Sequence, residues 1–291
     1  MEFFKPVSPV LSVFLLIGIG YGFAHWRKIS LSSLTEIVVY LAAPCLVFTS
    51  LATKSVVAAD IVMMVLGAVG IVAGVGALIG LYFLIFRLQS RGFALPVLFM
   101  NAGNMGIPLA LFAFGESGLQ RATLMFVIIS VFQYSLGIYI LSGRGQWLEI
   151  FRLPPIYAMV LGLSFNLGQI PIPDLLFQPL AMLGYAAIPL MLVSLGYRLH
   201  DVRSLRWGHS LGGALLRIFG GFLSAYLTAT IIGAEGVNRQ VLLLYGSLPA
   251  AVVNFVLTEK YGQDPELAAS IVVLSTLLSL CTIPIIFWLI L

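Results

Sequence analysis

The sequence predicts an all-α polytopic membrane protein. Two observations carry that prediction. Hydrophobic residues make up 60% of the 291 and charged residues only 9%, where an ordinary soluble domain carries about 25% charge. Cutting the chain at its charges also leaves ten uncharged runs: 6–24, 37–53, 61–86, 92–115, 122–143, 153–173, 175–197, 218–234, 240–258 and 267–291. A helix needs roughly 20 apolar residues to cross a bilayer core about 30 Å thick, and the two shortest runs can borrow a turn from their flanks. The same balance excludes a soluble globular domain and a disordered chain. A net charge of +4 is too sparse for a nucleic-acid footprint.

Taken in order, the first run reads as a helix and not as a removed signal. Met1–Ala24 has no A-x-A site, and its one basic residue, Lys5, stands near Glu2. The second run holds Ala43 and Pro44. The third is rich in glycine, with Gly67, Gly70, Gly74, Gly76 and Gly80. The fourth carries NAGNMGIP, Asn101–Pro108, and the fifth follows Arg121. Only Arg144–Arg152 separates it from the sixth. The seventh holds Ala187-Ile188-Pro189, and the eighth lies just past Arg217. The ninth carries YGSLPAAVVN, Tyr245–Asn254, and the tenth ends the chain. Cys45 and Cys281 lie in apolar runs and read as small hydrophobic side chains, with no metal or disulfide framework. Trp26, Trp147, Trp207 and Trp288 fall near span ends, as an aromatic belt predicts.

Lys and Arg in the short loops set the orientation. One side holds Arg27, Lys28, Arg87, Arg91, Arg144, Arg152, Arg198, Arg203, Arg206 and Lys260; the other holds Lys5, Lys54, Arg121 and Arg239. That bias puts both termini outside, on the periplasmic side of a bacterial inner membrane.

An internal repeat is visible. With Pro44 set on Pro189, the offset is 145 residues. The same offset lays the glycine-rich third span on the eighth, with Gly212, Gly213, Gly220 and Gly221. Gly115-Glu116 ends the fourth span as Gly262-Gln263 ends the ninth. Two five-helix repeats, 1–145 and 146–291, follow. An odd number of crossings inverts the second copy, which is a transporter architecture. The small residues of the third and eighth spans read as close-packing sites.

Both repeats are broken at mid-span. Gly103, Gly106 and Pro108 interrupt the fourth span, and Gly246 and Pro249 the ninth, since proline removes a donor and glycine leaves the turn unheld. Such breaks are tolerated where they are buried in protein or line a wet cavity. A pair at matching places points to a binding site. Freed N–H groups at the start of each downstream half-helix favour an anion. Asn101, Asn104, Ser247 and Asn254 add neutral donors and acceptors. A plain proline kink, with asparagines repairing the lost bonds, is the competing reading. Neither break holds Asp, Glu, His or Lys. A proton carrier usually keeps an ionisable group there, so the pattern leans towards an uncoupled or weakly coupled anion carrier.

These residues resemble a known family. NAGNMGIP and the run LPAAVVNFVLTEKYG, Leu248–Gly262, are similar to the two crossover helices of the auxin efflux carrier family, which includes plant auxin exporters and bacterial malonate and malate permeases. His25-Trp26-Arg27-Lys28-Ile29, Ala43-Pro44 and Val57-Ala58-Ala59-Asp60 extend the resemblance over nearly the whole chain. The long loop of many plant members is missing, so the chain looks like a compact bacterial member. The resemblance implies a ten-helix fold similar to bile-acid sodium symporters. Helices 1, 2, 6 and 7 (about 6–54 and 153–198) would be a scaffold, often dimeric. Helices 3–5 and 8–10 (about 60–143 and 205–290) would be the moving transport bundle. It further implies a carboxylate held at the crossover, with Asn101 as ligand, Asn104 beside it, and Ala43 and Pro44 as the facing wall. Asp60 matches an acidic residue of a supporting site, and Gln133 lies near another. Ala250 and Asn254 stand where plant carriers have Gln and Pro, which argues against auxin itself.

Arg217 is the costliest residue, since an arginine at a helix centre costs about 2.5–3.5 kcal/mol on insertion scales. It reads either as a counter-ion for substrate or as a pin on broken-helix carbonyls or on an acid such as Glu36. The expected function is a secondary transporter of small organic anions, by efflux or uniport, with no cofactor or metal. The alternative is Na⁺- or H⁺-coupled carboxylate symport. An intramembrane enzyme is the remote third, because no acid cluster or nucleophile arrangement lies within a span.

Overall fold

A computed structural model describes residues 7–52, 57–143, 147–200 and 205–290. Lys5, Lys54, Arg144 and Arg203, used above for orientation, lie outside the described residues. The described residues are predominantly helical. In order, the α-helices are α1 (Ser8–Trp26), α2 (Leu31–Ile37), α3 (Ala43–Ala52), α4 (Ala58–Phe86), α5 (Arg91–Leu98), α6 (Ile107–Phe132) and α7 (Ile138–Ser142). They continue with α8 (Pro154–Leu167), α9 (Asp174–His200), α10 (His209–Leu215), α11 (Gly221–Ile231), α12 (Gly236–Ser247), α13 (Val252–Lys260) and α14 (Pro265–Ile290). Four π-helical turns are spliced between them: Val38–Ala42, Ala102–Gly106, Gln133–Gly137 and Leu216–Gly220.

Among the described residues, seven helical stretches are long and apolar enough to cross a membrane: Ser8–Trp26, Leu31–Ala52, Ala58–Phe86, Ala102–Ser142, Asp174–His200, His209–Ile231 and Pro265–Ile290. The protein is therefore a multi-pass membrane protein. Large apolar side chains cover its outside, with Leu15, Leu84, Met182, Ile231 and Trp288 between 66% and 83% exposed, far more contiguous apolar surface than a soluble monomer shows.

Seven stretches against ten expected spans has a physical reason. The fourth and ninth predicted spans are interrupted, as α5/α6 and α12/α13. The sixth forms the 14-residue α8. The stretch Ala102–Ser142 is not straight. Gly115 within it has φ 64° and ψ −153°, a conformation open to glycine but costly for other residues. A Cβ added at Gly118 would collide with the carbonyl oxygen of Ala110, eight residues back. A straight helix would hold the two about 12 Å apart, so the chain doubles back at Gly115.

Packing follows small residues. α1 runs along α9, and α3 lies against α8 and α9. α4 packs on α11, where Gly70 and Gly74 face Thr228 and Ser224, as expected for glycines of the third and eighth spans. α12 is wedged among α6, α11 and α14. The meeting point of the two interruptions is deeply buried: Phe99, Met100, Leu248 and Ala250 are at most 1% exposed.

Candidate functional site

α5 ends at Leu98, and Phe99 turns extended at φ −112° and ψ 118°. Asn101 is also non-helical, and helix resumes through the π turn Ala102–Gly106. α12 ends at Ser247, Leu248 and Ala251 are extended, and α13 starts at Val252. The two extended segments cross and pair antiparallel, Met100 opposite Ala250. Asn101 N–H donates to the Pro249 carbonyl at 2.7 Å, and Ala251 N–H to the Phe99 carbonyl at 3.2 Å. Each break supplies the partners that the other lost. That exchange is what allows irregular backbone at membrane depth, where no water can serve.

Side chains complete the crossing. Asn254 donates through Nδ2 to the Phe99 carbonyl at 2.8 Å. Gln133 donates through Nε2 to Asn254 Oδ1 at 2.5 Å. Ala250 N–H donates to Ser275 Oγ at 3.0 Å. The Tyr245 hydroxyl lies 2.7 Å from the Ala122 carbonyl and 3.1 Å from that of Ala102. Ser247 turns back on its own helix and donates to Leu243 at 2.7 Å.

Arg217 is fully buried. It donates to the carbonyls of Val97 at 2.9 Å, Leu98 at 3.0 Å and Gly246 at 2.9 Å. These carbonyls end α5 and α12, where the last turn has no intrahelical donor and the helix dipole is negative. Glu36 is exposed on α2. Of the alternatives open to Arg217, these contacts are those of a pin on broken-helix carbonyls, and the guanidinium does not reach solvent. The fit needs glycine: a Cβ at Gly221 would strike both the guanidinium and the Gly246 carbonyl.

Beside the crossing lies a cavity of about 350 Å³. Its inner wall includes Asn101, Gly103 and Asn104 at the start of the α6 arm, and Val252 and Val253 in the first turn of α13. The first N–H groups of a helix lack intrahelical acceptors, so both helix N-termini reach this space. Its outer wall comes from Thr35, Val38 and Ala43 on one side and from Met191, Ser194 and Arg198 of α9 on the other. Asn101 is 3% exposed, and its Nδ2 has no hydrogen-bond partner. An orphaned buried amide costs about 1–3 kcal/mol, and it stands in the cavity wall. Among the described residues lining the cavity, Arg198 is the single charged one; it donates to Thr35 Oγ1 at 2.8 Å.

The structure thus brings Asn101, Gly103, Asn104, Ala43 and Gln133 together at the cavity. Pro44, Gly246, Ser247, Pro249 and Asn254 are not among its lining residues; they build the crossing or stand next to the wall. Gly106 packs on Tyr245, and Pro108 sits in the first turn of α6. Asp60 is elsewhere. It pairs with Arg121 at 2.8 Å and accepts from Asn238 Nδ2 at 2.7 Å, while Arg121 Nε also donates to Asn238. Sequence reasoning missed Arg198 and Tyr245. Arg198 was legible: Met191, Ser194 and Arg198 fall on one helical face, three and four residues apart. A second signal is the π turns, which favour functional sites. Three of them contribute lining residues, and the fourth carries Arg217. Among the described residues, no group of three or more His, Cys, Asp or Glu is placed to hold a metal.

Comparison with known proteins places the chain among membrane transport proteins. The family model described as "Membrane transport protein" matches residues 6–150 and 144–287. An uncharacterized transporter of Methanothermobacter thermautotrophicus is 30% identical over 305 residues, 98% of each chain. A Rhizobium meliloti protein assigned provisionally as a malonate transporter is 26% identical, over 94% of this chain and 92% of its own. A rice protein assigned provisionally as an auxin efflux carrier component is 26% identical over 144 residues, 47% of this chain and 39% of its own.

Proposed function

The chain belongs to the membrane transport protein family, that of the auxin efflux carriers, and from this premise we propose that it is a secondary transporter of small organic anions, carboxylates above all. It is a transporter and not an enzyme, as its family and relatives are. One observation carries the substrate class: Asn101, whose buried amide nitrogen has no protein partner, lines a cavity whose one charged residue among the described lining is a cation, Arg198. Two helix N-termini reach the same space. Donors and one positive charge, with no acid among the described wall residues, suit a carboxylate. The malonate assignment of the Rhizobium relative supports the same class.

In this reading the chain crosses the bilayer ten times, in two inverted units, 1–145 and 146–291. α5 with the first arm of α6 is one broken crossing, and α12 with α13 is the other. Residues of 6–54 and 153–198 form the scaffold, which pairs with a second copy. Residues of 60–143 and 205–290 move against it. The packing of α1 on α9 and of α3 on α8 and α9 supports the first group. Substrate binds Asn101 and Asn104, with Ala43 and Pro44 across from it. Asn254, Ser247 and Gln133 hold the crossing in shape behind it. With both termini on the periplasmic side of an inner membrane, the Arg198 end of the cavity faces the cytosol. Export of one negative charge then gains about 2.3 kcal/mol per 100 mV of membrane potential.

The test is charge movement in proteoliposomes exposed rapidly to mono- and dicarboxylates, with and without Na⁺. A saturable current, independent of Na⁺ and lost in Asn101→Ala, is the expected result. A current that requires Na⁺ or a pH gradient selects coupled symport. No flux of any carboxylate through folded protein overturns the anion reading.

A further inference from the structure

A second concavity, of about 460 Å³, opens on the outer surface between α4, α5 and α7. It has two chemically distinct zones. Its floor includes Gly80 and Leu84 of α4 and Ile140 of α7. Gly80 lies six residues before the end of α4, about 9 Å deeper along the helix axis. Its missing side chain makes the notch, because a Cβ built there meets nothing within 4 Å. The rim is polar: Gln89, Ser90 and Arg91, at the turn into α5. Arg91 is exposed, and NH1 donates to the Leu141 carbonyl at 3.1 Å. That bond fixes the guanidinium over the groove and uses one of its five donors. Among the described residues that line the groove, none is an acid. The carboxylate of Asp264, whose backbone touches Gly92, is paired with Arg206 at 2.8 Å.

We propose that this groove is a binding site for one phospholipid with an anionic headgroup. The phosphate sits on Arg91 at the rim, and an acyl chain lies down the notch at Gly80. A free phosphate would leave the apolar floor empty. A zwitterionic lipid would fill the floor and offer the same phosphate, but the positive charge of its headgroup would be repelled by Arg91 and offset part of that attraction. An apolar notch in the bilayer is occupied by acyl chain in any case, so selectivity comes from the rim. One basic residue near the surface is worth about 1 kcal/mol towards an anionic lipid, or about a fivefold preference.

The experiment is native mass spectrometry of the full chain in detergent, titrated with dioleoyl phosphatidylglycerol, dioleoyl phosphatidylcholine or inorganic phosphate. The expected result is one tightly retained phosphatidylglycerol, favoured about fivefold over phosphatidylcholine, and no retained phosphate. Gly80→Phe fills the notch and abolishes that retention while leaving the melting temperature in detergent unchanged. Arg91→Gln retains both lipids equally. Equal retention of the two lipids by the wild type would overturn the proposal. So would a preference that survives in Gly80→Phe, or displacement of the lipid by inorganic phosphate.

Discussion

Arg217 donates to the Gly246 carbonyl at 2.9 Å, and its other terminal nitrogen reaches Val97 and Leu98 at 2.9 and 3.0 Å. One side chain thereby ties the C-terminal ends of both interrupted helices. Arg217→Met leaves three buried carbonyls without donors, at about 1–3 kcal/mol each. We expect a loss of at least about 3 kcal/mol in detergent unfolding. Arg217→Lys should fall between, because a compact ammonium lacks the planar fork that spans both ends. Equal stability of Arg217→Met and the wild type would remove the pin.

At Gly246, α12 packs directly on α11. A Cβ there would meet Ala225 and the Gly221 carbonyl, and backbone cannot step aside. Gly246→Ala should cost about 1–3 kcal/mol, the usual range for overpacking. Gly80→Ala, facing open space, should leave the melting temperature unchanged. Comparing the two melting curves checks the contrast.

Asn101 and Asn254 should separate binding from folding. The Asn101 amide nitrogen has no protein partner, so Asn101→Ala should fold normally and lose carboxylate flux. Asn254 links Gln133 to the Phe99 carbonyl. Asn254→Ala should lower stability by about 1–3 kcal/mol as well as flux. Melting curves and flux measured on the same preparations decide; equal destabilisation by both substitutions would contradict the division.

Arg198 should act on affinity through charge. Two unit charges 4 Å apart interact by about 1 kcal/mol in bulk water and about 4 kcal/mol at an effective dielectric of 20. Arg198→Gln should therefore raise the KM for a carboxylate at least about fivefold. Wild-type KM should rise with ionic strength as the charge is screened, and that slope should flatten in the variant. An unchanged KM would place the anion elsewhere.

Asp60 pairs with Arg121 and Asn238, away from the cavity, and its side chain is 16% exposed. Asp60→Asn should lower stability by about 1.5–3 kcal/mol, as for a hydrogen bond to a charged group, and leave KM unchanged. A KM shift without a stability change would give Asp60 the supporting role in binding that the family resemblance implies.

The sequence alone determined that this chain lives in a membrane, because 9% charge cannot cover a soluble surface. It located both interruptions, since NAGNMGIP and YGSLPAAVVN break helices by local rules of backbone chemistry. It identified Asn101 and Asn104 as candidates for the same reason. What it left open depends on partners far apart in the chain. Whether Arg217 held substrate or structure turned on carbonyls 29 and about 120 residues away. Ser247 had the right chemistry for a ligand, but its helix turned it back onto Leu243. Asn254 sat on the right break, yet its amide is occupied by Phe99 and Gln133. Arg198 shares a legible helical face with Met191 and Ser194, but only the tertiary structure showed that this face meets the cavity. Local chemistry decides where a helix must break; only tertiary structure decides which of the freed polar groups find protein partners and which, like the Asn101 amide nitrogen, are left without one.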